Sequence, residues 1–264
     1  MFPKLTDTGG FFLPTYGALV ALGFLLGLYV TTRLARTVNL DTEKVNNVAI
    51  YCALAGLLGA KLFMFLFDWR IYLRDPGQIF TVETLQAAGV YQGGFLAAFA
   101  AGWWLIRKYE LPLWLTMDAF APGVAAGQAA GRLGCLAAGC CWGSQCDRPW
   151  AITFTNVDAN RMTGVPLGVP LHPAQIYESV ASVAIAVVLY RAFRQRPAPG
   201  TVIGWYLLLY SSVRFVIEFF RFHAQDLPFG GPFSNTQWIA LAMAAGGAVI
   251  LARYRKPVEA PNHG

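Results

Sequence analysis

The chain has 264 residues, of which 56% are hydrophobic, 14% aromatic and only 13% charged, with a net charge of +6 and a mean hydropathy of +0.47. That composition excludes an ordinary water-soluble domain and points to a polytopic membrane protein. The positive balance needs no nucleic-acid partner: no basic stretch is interleaved with aromatics as an RNA- or DNA-binding surface would be, and contact with anionic membrane lipids accounts for it.

The first 13 residues, MFPKLTDTGGFFL, lack the charged, apolar and small-residue regions of a signal peptide, so the first apolar segment, 16–35, is expected to be retained. Six more segments come close to the ~20 residues that cross a ~30 Å hydrocarbon core: 47–67, 89–106, 114–134, 174–192, 202–222 and 238–252. Lys and Arg collect after the odd-numbered segments, at Arg33, Arg36 and Lys44, at Arg107 and Lys108, at Arg191, Arg194 and Arg196, and at Arg253, Arg255 and Lys256. Cytoplasmic loops carry such an excess. The expected fold is therefore all-α: a polytopic integral membrane protein of seven transmembrane helices, N-terminus outside and C-terminus cytoplasmic, forming one transmembrane domain over residues 1–264. The loops 68–88, 143–173 and 223–237 then face outward, and function is sought on that half. Residues 149–173 mix β-branched and turn residues and read as a short hairpin, while the tail 256–264 reads as disordered. Gly123, Gly127 and Gly131 form a GxxxGxxxG ladder in the fourth segment, a pattern that lets helices approach closely. Plain helix packing and a functional role both remain open for it.

Arg214 lies inside the apolar run TVIGWYLLLYSSVRFVIEFFRF, followed by Glu218 and Arg221. A guanidinium near the bilayer centre costs roughly 2.5–3.5 kcal/mol on insertion scales, so such a charge is a functional-site candidate by default. Spacings of four and then three place the set on one helical face. Arg132 is a second cation in an otherwise apolar segment, so two arginines distant in sequence are expected to converge on one anion. Other polar residues fall at membrane depth: Tyr16, Lys61, Tyr91, Gln92, Gly93, Gly94, His172, Gln175, Tyr177 and Glu178. Singly each has a bland reading: Lys61 snorkels, Tyr16 joins an interfacial aromatic belt, His172 caps a helix entry. Six segments contributing polar groups to one half are better explained by a shared cavity. Two guanidiniums suit a phosphate, which they bind bidentately and at any pH, and a phosphate site within a membrane suggests a phospholipid headgroup.

No HExxH, Walker loop, GxSxG or GxGxxG is present, and no metal or organic cofactor is implied. Cys135, Cys140, Cys141 and Cys146 cluster in GRLGCLAAGCCWGSQC, with Cys52 apart. Three readings compete for them: small apolar packing, a disulfide in an oxidising outer compartment, and a metal or reactive-thiol site, against which the absence of CxxC spacing weighs.

GRLGCLAAGCCWG in segment four, HPAQIYES opening segment five and RFVIEFFR in segment six resemble prolipoprotein diacylglyceryl transferases in order and spacing. The likeness extends to Tyr16-Gly17, to Gly56 and the Gly-Ala-Lys that ends at Lys61, to Gly93-Gly94, Asp118 and Gln237, and so covers nearly the whole chain. It implies a bacterial inner-membrane enzyme that moves the diacylglyceryl group of phosphatidylglycerol to the lipobox cysteine of a prolipoprotein. A thioether forms and glycerol phosphate leaves. The implied partners are phosphatidylglycerol, the lipobox peptide and membrane lipids. Arg132 and Arg214 fall on the family's two essential arginine positions, Tyr16 on its first-span tyrosine and Gly143 on the glycine that ends its motif. Gln92, Gly93, Gly94, Tyr177, Glu178, Glu218 and Arg221 are expected at the substrate, although Glu218 and Arg221 also read as an ion pair holding segment six to its neighbours. The chain departs from the family where His-Gly-Gly becomes Gln92-Gly93-Gly94, and where the motif Asn, Asn and Glu become Cys135, Ala138 and Cys140. Glutamine takes no proton from a thiol. That step is expected to pass to His172, to Glu178, or to solvent in the positive field of Arg132 and Arg214. A family member with a different acceptor and a non-catalytic phospholipid-binding protein are the alternative readings.

Overall fold

The computed structural model describes residues 2–7, 12–81, 84, 89–222 and 231–254. The calls on Arg255 and Lys256 and on the tail 256–264 lie outside them. The described chain is built from helices: α1 (Thr15–Thr37), α2 (Thr42–Phe67), α3 (Trp69–Arg74), α4 (Tyr91–Lys108), α5 (Leu113–Ala138), α6 (Val157–Thr163), α7 (Ala174–Arg194), α8 (Thr201–Glu218) and α9 (Asn235–Tyr254). Two small antiparallel pairs accompany them, β1 (Lys4–Asp7) with β2 (Phe12–Pro14) and β3 (Ile152–Thr153) with β4 (Pro170–Leu171).

Five helices, Thr15–Thr37, Thr42–Phe67, Ala174–Arg194, Thr201–Glu218 and the stretch Asn235–Arg253, are long and apolar enough to cross a membrane. The expected spans at 89–106 and 114–134 are also helical. Gln92, Arg107 and Lys108 in α4, and Asp118, Gln128 and Arg132 in α5, dilute their apolar character. Helix α7 shows the inversion a lipid environment requires. Gln175, Glu178, Ser179 and Ser182 are buried, while Val180, Val183, Val187 and Val188 are 44–64% exposed. Polar groups turned inward and valines turned outward suit hydrocarbon, not water.

The chain divides into two compact units, Met1–Thr37 with Met117–Gly264, and Val38–Thr116. In the second, α2 and α4 meet through small residues. A Cβ on Gly59 would sit 2.6 Å from the Gly93 carbonyl oxygen, and one on Gly94 would sit 2.9 Å from that of Gly56. Asp41 starts α2 by accepting the Glu43 and Lys44 amides at 3.0 and 3.2 Å, a side-chain N-cap.

In the first unit, α1 crosses α5 on the same principle. A Cβ on Gly27 would lie 2.7 Å from the Gly123 carbonyl oxygen, and one on Gly23 would lie 2.8 Å from that of Gly127. Two rungs of the glycine ladder thus serve packing, while Gly131 faces open space. The α8 N-terminus is capped from α5: buried Asp118 accepts the Gly200 amide at 2.7 Å and the Ile203 amide at 2.8 Å. Helix α9 begins with a capping box. Ser234 Oγ accepts the Gln237 amide at 3.2 Å, and Gln237 Oε1 accepts the Ser234 amide at 2.9 Å.

Between α5 and α7 the chain folds into a small lobe. The expected hairpin at 149–173 is a β3–β4 pair with α6 inserted between its strands, closed over a core of Phe154, Ala159, Val165 and Leu171, against which Leu136 and Trp142 pack. Asn156 caps α6 through its side chain, and this local signal outcompetes a direct strand return. Gly139, at φ +79°, ends α5 and turns the chain into the lobe, as a left-handed residue commonly does.

Candidate active site

Arg132 on α5 and Arg214 on α8 do converge, and the anion between them belongs to the protein. Glu178 on α7, 4% exposed, pairs through Oε2 with Arg132 Nε and through Oε1 with Arg214 Nη1 at 3.3 Å and with Arg221 Nη1 at 3.8 Å. Arg214 Nη1 also reaches Glu218 Oε2 at 2.6 Å, one helical turn on. Ser234 Oγ donates to Glu218 Oε1 at 3.0 Å, so the residue that caps α9 also fixes this carboxylate. Three guanidiniums thus surround two carboxylates, leaving the network one positive charge in excess.

Arg221 does not continue the α8 face. The helix ends at Glu218, and the Phe220 and Arg221 amides donate to Ile217 and Glu218 carbonyls in a tighter turn. Arg221 then forms a β-bridge with Gly143. Three strands of chain meet there. A Cβ on Gly143 would lie 2.5 Å from both His172 Cβ and the His172 carbonyl oxygen, and 2.6 Å from the Phe220 oxygen. The Gly143 amide donates to the His172 carbonyl at 3.0 Å, and the Ser144 amide to that of Phe220 at 2.8 Å.

The His172 imidazole is turned to Tyr177, with Nδ1 3.2 Å from its hydroxyl, and its ring stands edge-on to Phe220 at 5.2 Å. The Trp150 indole donates to the same hydroxyl at 2.8 Å. His172 and Tyr177 therefore form an aromatic corner that holds the lobe strand against the turn after α8. Tyr16 lies over the C-terminal part of α5, where a Cβ on Gly134 would be 3.3 Å from its ring. Gln92, Gly93 and Gly94 open α4 in the second unit, and both glycines give α2 its close approach. Lys61 donates to the Thr84 carbonyl at 2.6 Å in that unit.

Cys52, Cys135, Cys140, Cys141 and Cys146 are free thiols. The sulfurs of Cys135, Cys140 and Cys141 all lie within 4.8 Å of one another, although the sequence spacing carries no CxxC. The convergence comes from the backbone. The Gly139 and Cys140 amides both donate to the Cys135 carbonyl at 3.0 Å, and Cys141 adopts φ +62°, so the chain curls back over the end of α5. Hydrogen bonds with Cys135 and Cys140 hold the Cys141 thiol well below the ordinary range, against burial, and the Arg221 and Arg132 guanidiniums act in the same sense. The Cys140 thiol, hydrogen-bonded to Cys135 and Cys141, is pushed up. Gln175 Nε2 donates to the Cys140 carbonyl at 2.7 Å, tying the turn to α7. Sequence reasoning missed the Ser234–Glu218 link and the Asp118 cap. The S-N-T-Q string at 234–237 carried the signal for the first.

A family model described as prolipoprotein diacylglyceryl transferase matches residues 3–253. Among similar proteins, a phosphatidylglycerol–prolipoprotein diacylglyceryl transferase of Finegoldia magna is 28% identical, covering 92% of each chain. One from Nitrosospira multiformis is 33% identical over 93% of this chain and 84% of its own, and one from Geobacter sulfurreducens is 30% identical over 90% of each.

Proposed function

The chain belongs to the prolipoprotein diacylglyceryl transferase family, and on that premise we propose that it transfers the diacylglyceryl group of phosphatidylglycerol to the lipobox cysteine of a prolipoprotein. The observation that carries this reading is the convergence of Arg132, Arg214 and Arg221 on the one buried carboxylate of Glu178. In the reaction a sulfur attacks the glyceryl carbon and the carbon–oxygen bond to phosphate breaks, so negative charge grows on the leaving glycerol phosphate. Donors already held in place stabilise that charge without reorganising as it forms. Glu178 and Glu218 do the holding, and the network's excess positive charge is left for the phosphate. The guanidinium side chains are 12–24% exposed, enough for a headgroup to reach them. Arg132 and Arg214 bind the headgroup and the departing phosphate. Glu178, shared by three cations, serves as their anchor. Tyr16, His172, Tyr177 and Gly143 shape and close the substrate space.

The same reading supplies the setting: one domain of seven crossings in a bacterial inner membrane, with the N-terminus and the lobe outside, where secreted precursors emerge. The five long apolar helices and the distribution of Lys and Arg support it.

The test is transfer of labelled diacylglyceryl from phosphatidylglycerol vesicles to a lipobox peptide by the purified full-length protein. Labelled peptide, lost in Arg214→Ala, is the expected result. Vesicles that bind while the peptide stays unlabelled would replace the enzyme with a phospholipid-binding protein. Label on another acceptor would keep the chemistry and change the partner.

A further inference from the structure

Three thiols meet beside the leaving-group arginines, and the bases expected from the sequence, Glu178 and His172, each have a partner. Glutamine stands at position 92, Glu178 is shared among three guanidiniums, and the His172 imidazole faces Tyr177. Arg132 and Cys135 are three residues apart on α5 and so neighbours on one helical face. Gly143, two residues beyond Cys141, forms a β-bridge with Arg221, and the Tyr16 ring lies against Gly134, next to Cys135.

Resting on the transferase reading above, we propose that Cys135, Cys140 and Cys141 bind a zinc ion whose fourth position receives the acceptor cysteine as its thiolate. Zinc holds thiolate sulfur at about 2.3 Å, which puts tetrahedral sulfurs about 3.8 Å apart, and catalytic sites keep three protein ligands and one open position. The sulfurs already lie within 4.8 Å of one another, close to that spacing. One further observation bears on a ligand there. The Oε1 of Gln175, 1% exposed, has no hydrogen-bond partner among the described residues, while its Nε2 holds the Cys140 carbonyl. With the acceptor bound, four thiolates on a divalent ion carry two negative charges, so Arg132 and Arg221 face both this site and the leaving phosphate. Cys135 is buried and the other two are half-buried, so the cluster has an open side.

The step balances. The acceptor thiol gives its proton to water as its sulfur joins the ion. The sulfur electron pair forms the bond to the glyceryl carbon, and the pair of the breaking carbon–oxygen bond leaves with glycerol phosphate toward Arg132 and Arg214. No electron is gained or lost overall.

Metal analysis of the full-length protein, purified with a non-chelating tag, should give about one zinc per chain in the wild type and in Cys52→Ser and Cys146→Ser. The content should fall about tenfold or more in Cys135→Ser, Cys140→Ser and Cys141→Ser. Cobalt(II) in place of zinc should show thiolate charge-transfer absorption that shifts on adding a lipobox peptide and not its Cys→Ser version. Because a cysteine variant can misfold, the cobalt spectrum of the wild type is the independent readout. Copper in place of zinc, no stoichiometric metal, or a cobalt spectrum blind to the peptide thiol would each overturn the inference. Transfer by metal-free protein would sink it and leave the transferase standing. A peptide-sensitive cobalt spectrum without transfer would uphold the metal site and sink the transferase.

Discussion

The arginine–glutamate network and the thiol cluster begin three residues apart on α5, at Arg132 and Cys135, yet they are built on opposite terms. In the network each carboxylate is claimed by guanidiniums, and Glu218 also by Ser234. It joins three helices and the turn beyond α8, and removing one member strands the others in a low-dielectric interior. The thiols touch mainly one another, on a turn that a glycine and a strained cysteine have shaped. Buried charge is thus used here to specify how helices meet. The sulfur cluster is local, and its loss should be felt in chemistry before it is felt in stability.

The largest break in this contrast is Glu178→Gln. With the central carboxylate gone, Arg132 and Arg221 lose their carboxylate partner while Arg214 keeps Glu218, and a loss of about 3–5 kcal/mol is expected. It should appear as a sharp fall in detergent-solubilised protein and in its thermal midpoint, together with loss of transfer. Arg214→Ala removes a preorganised cation from the leaving group and should lower the transfer rate by about 10²–10³-fold. Arg214→Lys should recover part of the stability and little of the rate, since an ammonium cannot reproduce the guanidinium fork. Gly143→Ala forces a methyl against His172 and the Phe220 carbonyl. It should cost about 1–3 kcal/mol, measurable as a lower midpoint, and should disturb both regions because the glycine joins the cysteine turn to Arg221. Ser234→Ala removes the α9 cap and the hydroxyl on Glu218, with about 1 kcal/mol expected. In the metal-free protein Cys140→Ser should cost least, less than about 1 kcal/mol, read as the smallest shift in thermal midpoint. A fall as large as that of Glu178→Gln would erase the distinction between the two regions.

Much of the site could be read from residue types. An arginine in an apolar run is expensive enough to announce itself, and the convergence of Arg132 and Arg214 follows from that cost. The glycine pattern at 123 and 127 likewise announced a helix crossing. Geometry set by single dihedral angles was not legible. That Arg221 leaves the α8 face depends on a turn two residues earlier, and that Cys135, Cys140 and Cys141 meet depends on positive φ at Gly139 and Cys141. Spacing rules drawn from CxxC loops miss such a curl. The Asp118 cap joins residues more than 80 positions apart, and no local pattern encodes it. The lobe hid a helix because Val157–Thr163 is too short for periodicity to reveal it.

The lobe between α5 and α7 ties the order of synthesis to the order of burial. Its core draws Leu136 from the end of α5 and closes through Leu171, three residues before α7 begins. Arg132 and Glu178 belong to the same two helices. A growing chain that has made α5 alone holds an arginine whose α7 carboxylate does not yet exist and aromatic side chains, Trp142 and Phe154, whose cover has not been translated. One later arrival, α7, relieves both conditions together. Arrival of α7 is therefore expected to pair the arginine and close the lobe together, and a chain stalled before it to expose an unpaired cation and bare aromatics.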